Sequence, residues 1–160
     1  MKKRVLICLL LAISCSNKTE SKVLVFNVDD DSAKVELLKM ELDKKHPNLL
    51  NPAISTKNYD LVLSSWTELH KELNNFLSEN NFNWDVEEEK IKIFNKIYFD
   101  KNGKVKVYVF RILSKNAEKK SDDYGKLMSV FLKEMKISIV RDSAFAQCGK
   151  ISLPNKKTQL

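Results

Sequence analysis

The chain has 160 residues, 43% hydrophobic and 31% charged, which suits one folded domain with a modest core and argues against intrinsic disorder. Only three glycines and three prolines occur, which excludes Gly-rich phosphate cradles and leaves little room for long loops. The formal charge of +7 is mostly lysine, with Arg4, Arg111 and Arg141 as the whole arginine set. Arginine is the usual reader of base edges and clamp on phosphate, so nucleic acid is not an expected partner.

Met1 to Cys15 reads MKKRVLICLLLAISC. Lys2, Lys3 and Arg4 precede an apolar run from Val5 to Ile13, far shorter than the ~20 residues of a bilayer-spanning helix. Residues 1–14 hold these three cations and no acid, so their removal lowers the formal charge from +7 to +4. The segment resembles a bacterial lipoprotein signal, in which an apolar run ends in a lipobox closed by a cysteine. Leu11, Ala12, Ile13, Ser14 and Cys15 occupy that place. The resemblance implies a signal peptide over 1–14, lipidation of Cys15, a polar tether over 15–21 and membrane anchoring in the bacterial cell envelope. Ala12 and Ser14 also satisfy the small-x-small rule of ordinary signal cleavage, which would leave a secreted or periplasmic protein. With Cys8 removed and Cys15 lipidated, Cys148 stands alone and no intramolecular disulfide is expected.

In the mature chain, Lys22–Val28 reads as a first strand. Asp29, Asp30, Asp31 and Ser32 end it and cap a helix, where acids oppose the positive dipole end. Val35, Leu38 and Leu42 form that helix's apolar stripe, widened by Leu37 and Met40, and His46-Pro47 stops it. Residues 48–56 read as a loop. A long second helix carries Tyr59, Val62, Leu63, Trp66, Leu69, Leu73, Phe76 and Leu77 at spacings of three and four, capped by Thr56 or Asn58. Phe82 and Trp84 fold back after it as an apolar lid.

The strongest local signal is Ile91–Leu113, two apolar β-branched and aromatic runs around Asn102-Gly103. A three-residue loop, Lys101-Asn102-Gly103, pairs Phe99 with Val105 and Ile97 with Val107, with Gly103 left-handed. That register sets Phe94 against Phe110 and Lys96 against Tyr108 on an outer, part-apolar face. Ser121–Asp123 then start a third helix, with Tyr124, Leu127, Met128, Phe131 and Met135 facing inward. Residues 136–140 read as extended, and 143–153 as a last strand with a bulge or bend at Gly149. The order is β-α-α-β-β-α-β: an α+β domain over 22–154, a mainly antiparallel sheet around the hairpin of about 91–113, with about three helices on one face. Residues 155–160 read as a polar tail.

From Lys92 to Leu153 the run Ile97-Tyr98-Phe99-Asp100-Lys101-Asn102-Gly103-Lys104-Val105, a helix, and then Cys148-Gly149-Lys150 at the last strand resemble the C-terminal domain of TonB-type energy transducers. That resemblance implies a hairpin–helix–strand unit over 92–153.

No constellation carries chemistry. His46 and His70 lie outside any metal-binding spacing, so no metal or other cofactor is expected. Asp29–Asp31 lacks the calcium-loop spacing and suits capping; Glu87–Glu89 suits a solvated approach to the hairpin. Cys148 reads as a small core residue. The expectation is therefore a non-enzymatic, lipid-anchored module that binds an envelope protein or peptide, for example at an open sheet edge. Phe94, Tyr108, Phe110 and Trp84 are its candidate binding surface. The alternative is an envelope hydrolase or thiol enzyme using Cys148 or the acidic clusters. Cys15→Ala should abolish acyl labelling and release the protein from membranes, so full membrane retention of the variant would refute the lipid anchor.

Overall fold

The structure, a computed structural model, describes residues 22–49 and 58–155. The signal, Cys15, the tether, Thr56, most of the 48–56 loop and residues 156–160 lie outside them. The elements are β1 (Leu24–Asn27), α1 (Asp31–Met40), α2 (Leu42–Lys45), α3 (Tyr59–Glu79), β2 (Lys90–Phe99), β3 (Val105–Ile112), α4 (Ser121–Phe131) and β4 (Phe145–Pro154), with a 3-10 turn over Ala117–Lys120. They form an α+β fold in the expected order. The four-stranded sheet runs β1-β3-β2-β4 and is mixed: β1 lies parallel to β3, and the other pairs are antiparallel.

Local chemistry sets the element ends. Asp30 caps α1, its Oδ1 accepting from the Ser32 and Ala33 amides at 2.7 and 3.4 Å. Glu41, at φ 48°, ends α1 in the left-handed region. Asn58 precedes α3 without a side-chain cap. Val62, Ser65, Leu69, Leu73 and Leu77 are the buried stripe of α3, while Trp66 and Phe76 flank it. Tyr59 and Leu63, expected in that stripe, are exposed on the helix side.

The hairpin turn is as expected. The Asp100 carboxylate accepts from the Asn102 and Lys104 amides at 2.9 and 3.0 Å, and Gly103 sits at φ +82°. Phe99 pairs with Val105, but Tyr98 pairs with Val107, so Lys106 is an extra residue in β3. Past that bulge the expected register is wrong. Ile97 faces Tyr108, Phe94 faces Arg111, and Lys96 faces Val109. An inserted residue inverts every side chain beyond it, because strands alternate with period two.

Both faces of the sheet are therefore covered, rather than one. Ile91, Ile93, Ile97, Phe99, Val105, Tyr108 and Phe110 pack with α3 and α4. Tyr98, Val107, Val109, Phe26 and Ala146 pack on the other side with Ala33, Leu37, Met40 and Leu42 of α1 and α2. The α1 stripe that covers the sheet is thus Ala33-Leu37-Met40; Val35 and Leu38 point to solvent. Each such apolar side chain, fully buried, contributes about 1.5–3 kcal/mol.

Two further expectations change. β4 pairs with β2 without interruption from Phe145 to Pro154, so Gly149 makes no bulge. A Cβ there would lie 3.4 Å from the Trp66 ring, in ordinary van der Waals contact. Asn155 is no tail residue: it is buried, donates Nδ2 to the Val86 and Glu88 carbonyls at 2.9 Å, and accepts from the Trp84 amide at 3.4 Å.

The segment after α4 lies across the hairpin turn, with the Ile137 amide donating to Gly103 O at 3.0 Å and the Arg141 amide to Lys101 O at 2.8 Å. A Cβ at Gly103 would meet the Ile137 and Ile139 carbonyl oxygens at 2.5 and 2.6 Å. Gly103→Ala therefore combines a positive φ with a backbone collision and should cost about 2–4 kcal/mol in urea unfolding. A loss below about 0.5 kcal/mol would contradict the close docking of 137–139 on the turn.

Candidate functional site

The structure separates the four residues expected to form one surface. Trp84 is 2% exposed, and Tyr108 and Phe110 are 1% exposed each. They sit in an aromatic cluster around Tyr124, whose ring centroid lies 5.1 Å from those of both Trp84 and Phe110. The Tyr108 and Tyr124 hydroxyls meet at 2.8 Å, and burial pushes the Tyr108 phenol up to about 12. These three side chains are core and cannot be contact residues; the bulge at Lys106 turned Tyr108 and Phe110 inward. Trp84 is the expected lid, with Phe82 edge-on to it at 4.8 Å.

Phe94 alone of the four stays at the surface. It lines an apolar groove of about 620 Å³ with Leu37, Leu38, Leu42 and Val109. At one end of this groove Asp43 accepts from Lys96 at 2.6 Å and from the Tyr98 hydroxyl at 2.7 Å. Partial burial opposes ionisation of Asp43, but these two donors prevail and hold its carboxyl below the usual range. Burial, then the bond to Asp43, raises the Tyr98 phenol.

Cys148 is half-buried on the same face, its Sγ accepting from Asn48 Nδ2 at 3.1 Å. His46 turns Nδ1 to the Leu42 carbonyl at 2.8 Å and packs edge-on against Tyr98. His70 lies on the opposite face of the sheet. Neither imidazole is hydrogen-bonded to the thiol, so the described residues hold no nucleophile–base pair of the kind thiol catalysis uses. Asp29 pairs with Arg111 at 2.8 Å, Asp30 caps α1, and Asp31 pairs with Lys34 at 2.7 Å. Among the described residues no three His, Cys, Asp or Glu side chains converge on a cation position, and no helix is long and apolar enough to cross a membrane.

The sheet edges differ. On β4, Ala146 exchanges backbone bonds with Pro47 and Leu49. By alternation Cys148, Lys150, Ser152 and Pro154 also direct their backbone outward. A lysine and a proline at outward positions blunt that edge. On β1, the Val28 amide donates to Phe110 O at 2.9 Å, which sets the alternation and turns the Val25 amide and carbonyl away from β3. They face a groove of about 570 Å³ that runs along β1. Ser32, Ala33 and Glu36 of α1 form one wall; Gly125, Lys126 and Ser129 of α4 form the other. A Cβ at Gly125 would stand 3.7 Å from the Phe110 ring and 3.9 Å from Val25, so α4 lies low over the sheet beside this edge. The sequence shows β1 as a strand, but edge position depends on which strands pair, and no local signal carries that.

No protein-family model matches the chain, and neither a curated protein nor a solved structure matches it significantly.

On the covered inner face His70 is locked in one form. Its Nδ1 donates to the Trp66 carbonyl at 2.7 Å, which leaves Nε2 to accept from Asn95 Nδ2 at 2.9 Å. Burial lowers its pKa to about 4. An unfolded histidine titrates near ~6.5, so the unfolded state binds more protons between those values. Stability should be constant above about pH 6.5 and fall by about 3 kcal/mol as pH drops to about 4. His70→Gln should flatten this slope in urea titrations across pH 4–7; an unchanged slope would place the acid sensitivity elsewhere.

Proposed function

We propose that this chain is a lipid-anchored protein of the bacterial cell envelope whose folded domain binds, without catalysis, an extended peptide segment as a fifth strand on β1. The observation that carries the reading is the Val25 amide and carbonyl, turned away from β3 into the groove between α1 and α4. Main-chain pairing supplies affinity in strand addition, and alternate side chains supply selectivity. Here one set of peptide side chains would face Ala33 and Glu36, the other Gly125 and Ser129. Asp30, Glu36 and Asp122 against Lys22 and Lys126 make the lining slightly acidic, which favours a neutral or weakly basic segment. The lipid anchor rests on the lipobox-like end at Cys15 and the short basic and apolar run before it. The domain's role rests on the groove, not on the TonB-type resemblance of 92–153.

Val25→Pro tests this directly. Proline removes an amide that β3 does not use, so the native ladder survives while one bond to an added strand is lost. A photo-crosslinker at Lys126 should capture a peptide or protein segment in intact envelopes, and the same crosslinker at Thr67 on α3 should not. Val25→Pro should reduce the Lys126 product at least tenfold with thermal unfolding little changed. Equal capture at Thr67, or capture indifferent to Val25→Pro, would sink the reading.

A further inference from the structure

Charge is sorted along the strands. Asn95 pairs with Phe110 and Gly149 across the sheet, and a line through the three meets α3 at His70. One half holds the hairpin turn, the end of α1 with α2, α3 as far as His70, and residues 133–142. Among the described residues that half carries eleven Lys or Arg against seven Asp or Glu. The other half, with the starts of α1 and α4 and the 82–89 loop, carries ten against thirteen.

The basic surplus gathers at the tip of the first half. The Lys101 carbonyl accepts from the Arg141 amide, and Lys104 forms an antiparallel bridge with Lys136. Lys22 lies at the same end, because Leu24 pairs with Val107 just beyond the turn. Among the described residues none of these five cations has an acidic partner. The acids of the turn and of 133–142 are Asp100, Glu134 and Asp142. Asp100 is committed to the turn amides and to Lys106 at 3.9 Å. Val140, 64% exposed, and Tyr59, 53% exposed, stand at this end too, since Val62 in the first turn of α3 packs beside Phe99 and Ile139.

We propose that this basic tip docks onto the anionic headgroups of the bilayer that carries the anchor. The inference rests on the lipid-anchor reading and deepens it by fixing which end of the domain faces the membrane. Residues 15–21 span at most ~25 Å when fully extended, so a lipid on Cys15 keeps Lys22, and the tip with it, close to the headgroups. An anionic surface attracts clustered lysines without directed contacts, over a Debye length of ~10 Å. An exposed tyrosine beside an aliphatic side chain suits the headgroup level. The same field repels the acidic half and opposes the inverted approach. The strands then stand upright on the bilayer, and the β1 groove opens from Lys22 beside the membrane to Asp30 away from it.

The test uses the mature chain from residue 15 with Cys15→Ser, which carries no acyl group. It should sediment with vesicles of phosphatidylcholine containing about one-third phosphatidylglycerol and not with pure phosphatidylcholine. Lys101→Glu with Lys136→Glu, both exposed, should weaken that binding at least ~20-fold. Lys115→Glu with Lys119→Glu makes the same change in net charge at the far end and should leave binding within about twofold. No binding to the anionic vesicles overturns the proposal, as do equal binding to the neutral ones and equal loss from the two charge-reversed pairs. Failure of the anchor itself reads out separately, as membrane retention of Cys15→Ala.

Discussion

One extra residue in β3, Lys106, sets the arrangement of both cores. Had the pairing of Phe99 with Val105 continued unbroken, Val107 and Val109 would have joined Ile91, Ile93 and Ile97 beneath α3 and α4. Tyr108 and Phe110 would then have faced the other way. The bulge inverts this. The larger aromatic side chains go to the thicker core, where Tyr124 receives the Tyr108 hydroxyl and the Phe110 ring. The slimmer valines go beneath α1, where Ala33 lets the helix lie close to the sheet. A slip of one residue costs nothing locally in β3, because both of its faces are apolar. Burial on two sides decides between the registers.

The same inversion shapes the surface. Because α1 covers Val107 and Val109 while α4 lies over Phe110, the β1 edge sits between two helices rather than on a bare flank. The far edge is treated differently. Pro47 and Leu49 close its start, Pro154 blocks its end, and Asn155 ties the chain to the 82–89 loop through four hydrogen bonds. The inner face also holds a buried polar line, Trp66 carbonyl to His70 to Asn95, whose members are each committed to one hydrogen-bonding role. Such a line adds specificity to the packing of α3 on the sheet and makes that packing sensitive to acid.

Some of this was legible from residue order. The Asp30 cap, the turn at Asp100–Lys104, the left-handed Gly103, the long α3 and the order of elements follow from contacts between residues a few positions apart. The candidate surface was read less well. Phe94 lies in a groove, but Tyr108, Phe110 and Trp84 are core, because their exposure was inferred from a register that Lys106 breaks. Val35 and Leu38 were read as part of the apolar stripe of α1, yet both face solvent, because sequence periodicity could not say which of two apolar sides would meet the sheet. Ala33 decided it, since a small residue allows the closest approach.

By itself, then, the chain determined its elements and its turn, since capping and periodicity are local chemistry. The tertiary structure alone decided the position of the bulge, the two covered faces, the open β1 edge and the pairing of His70 with Asn95. Each of these depends on residues brought together from distant parts of the chain, where competing registers differ little locally and are separated only by what they bury.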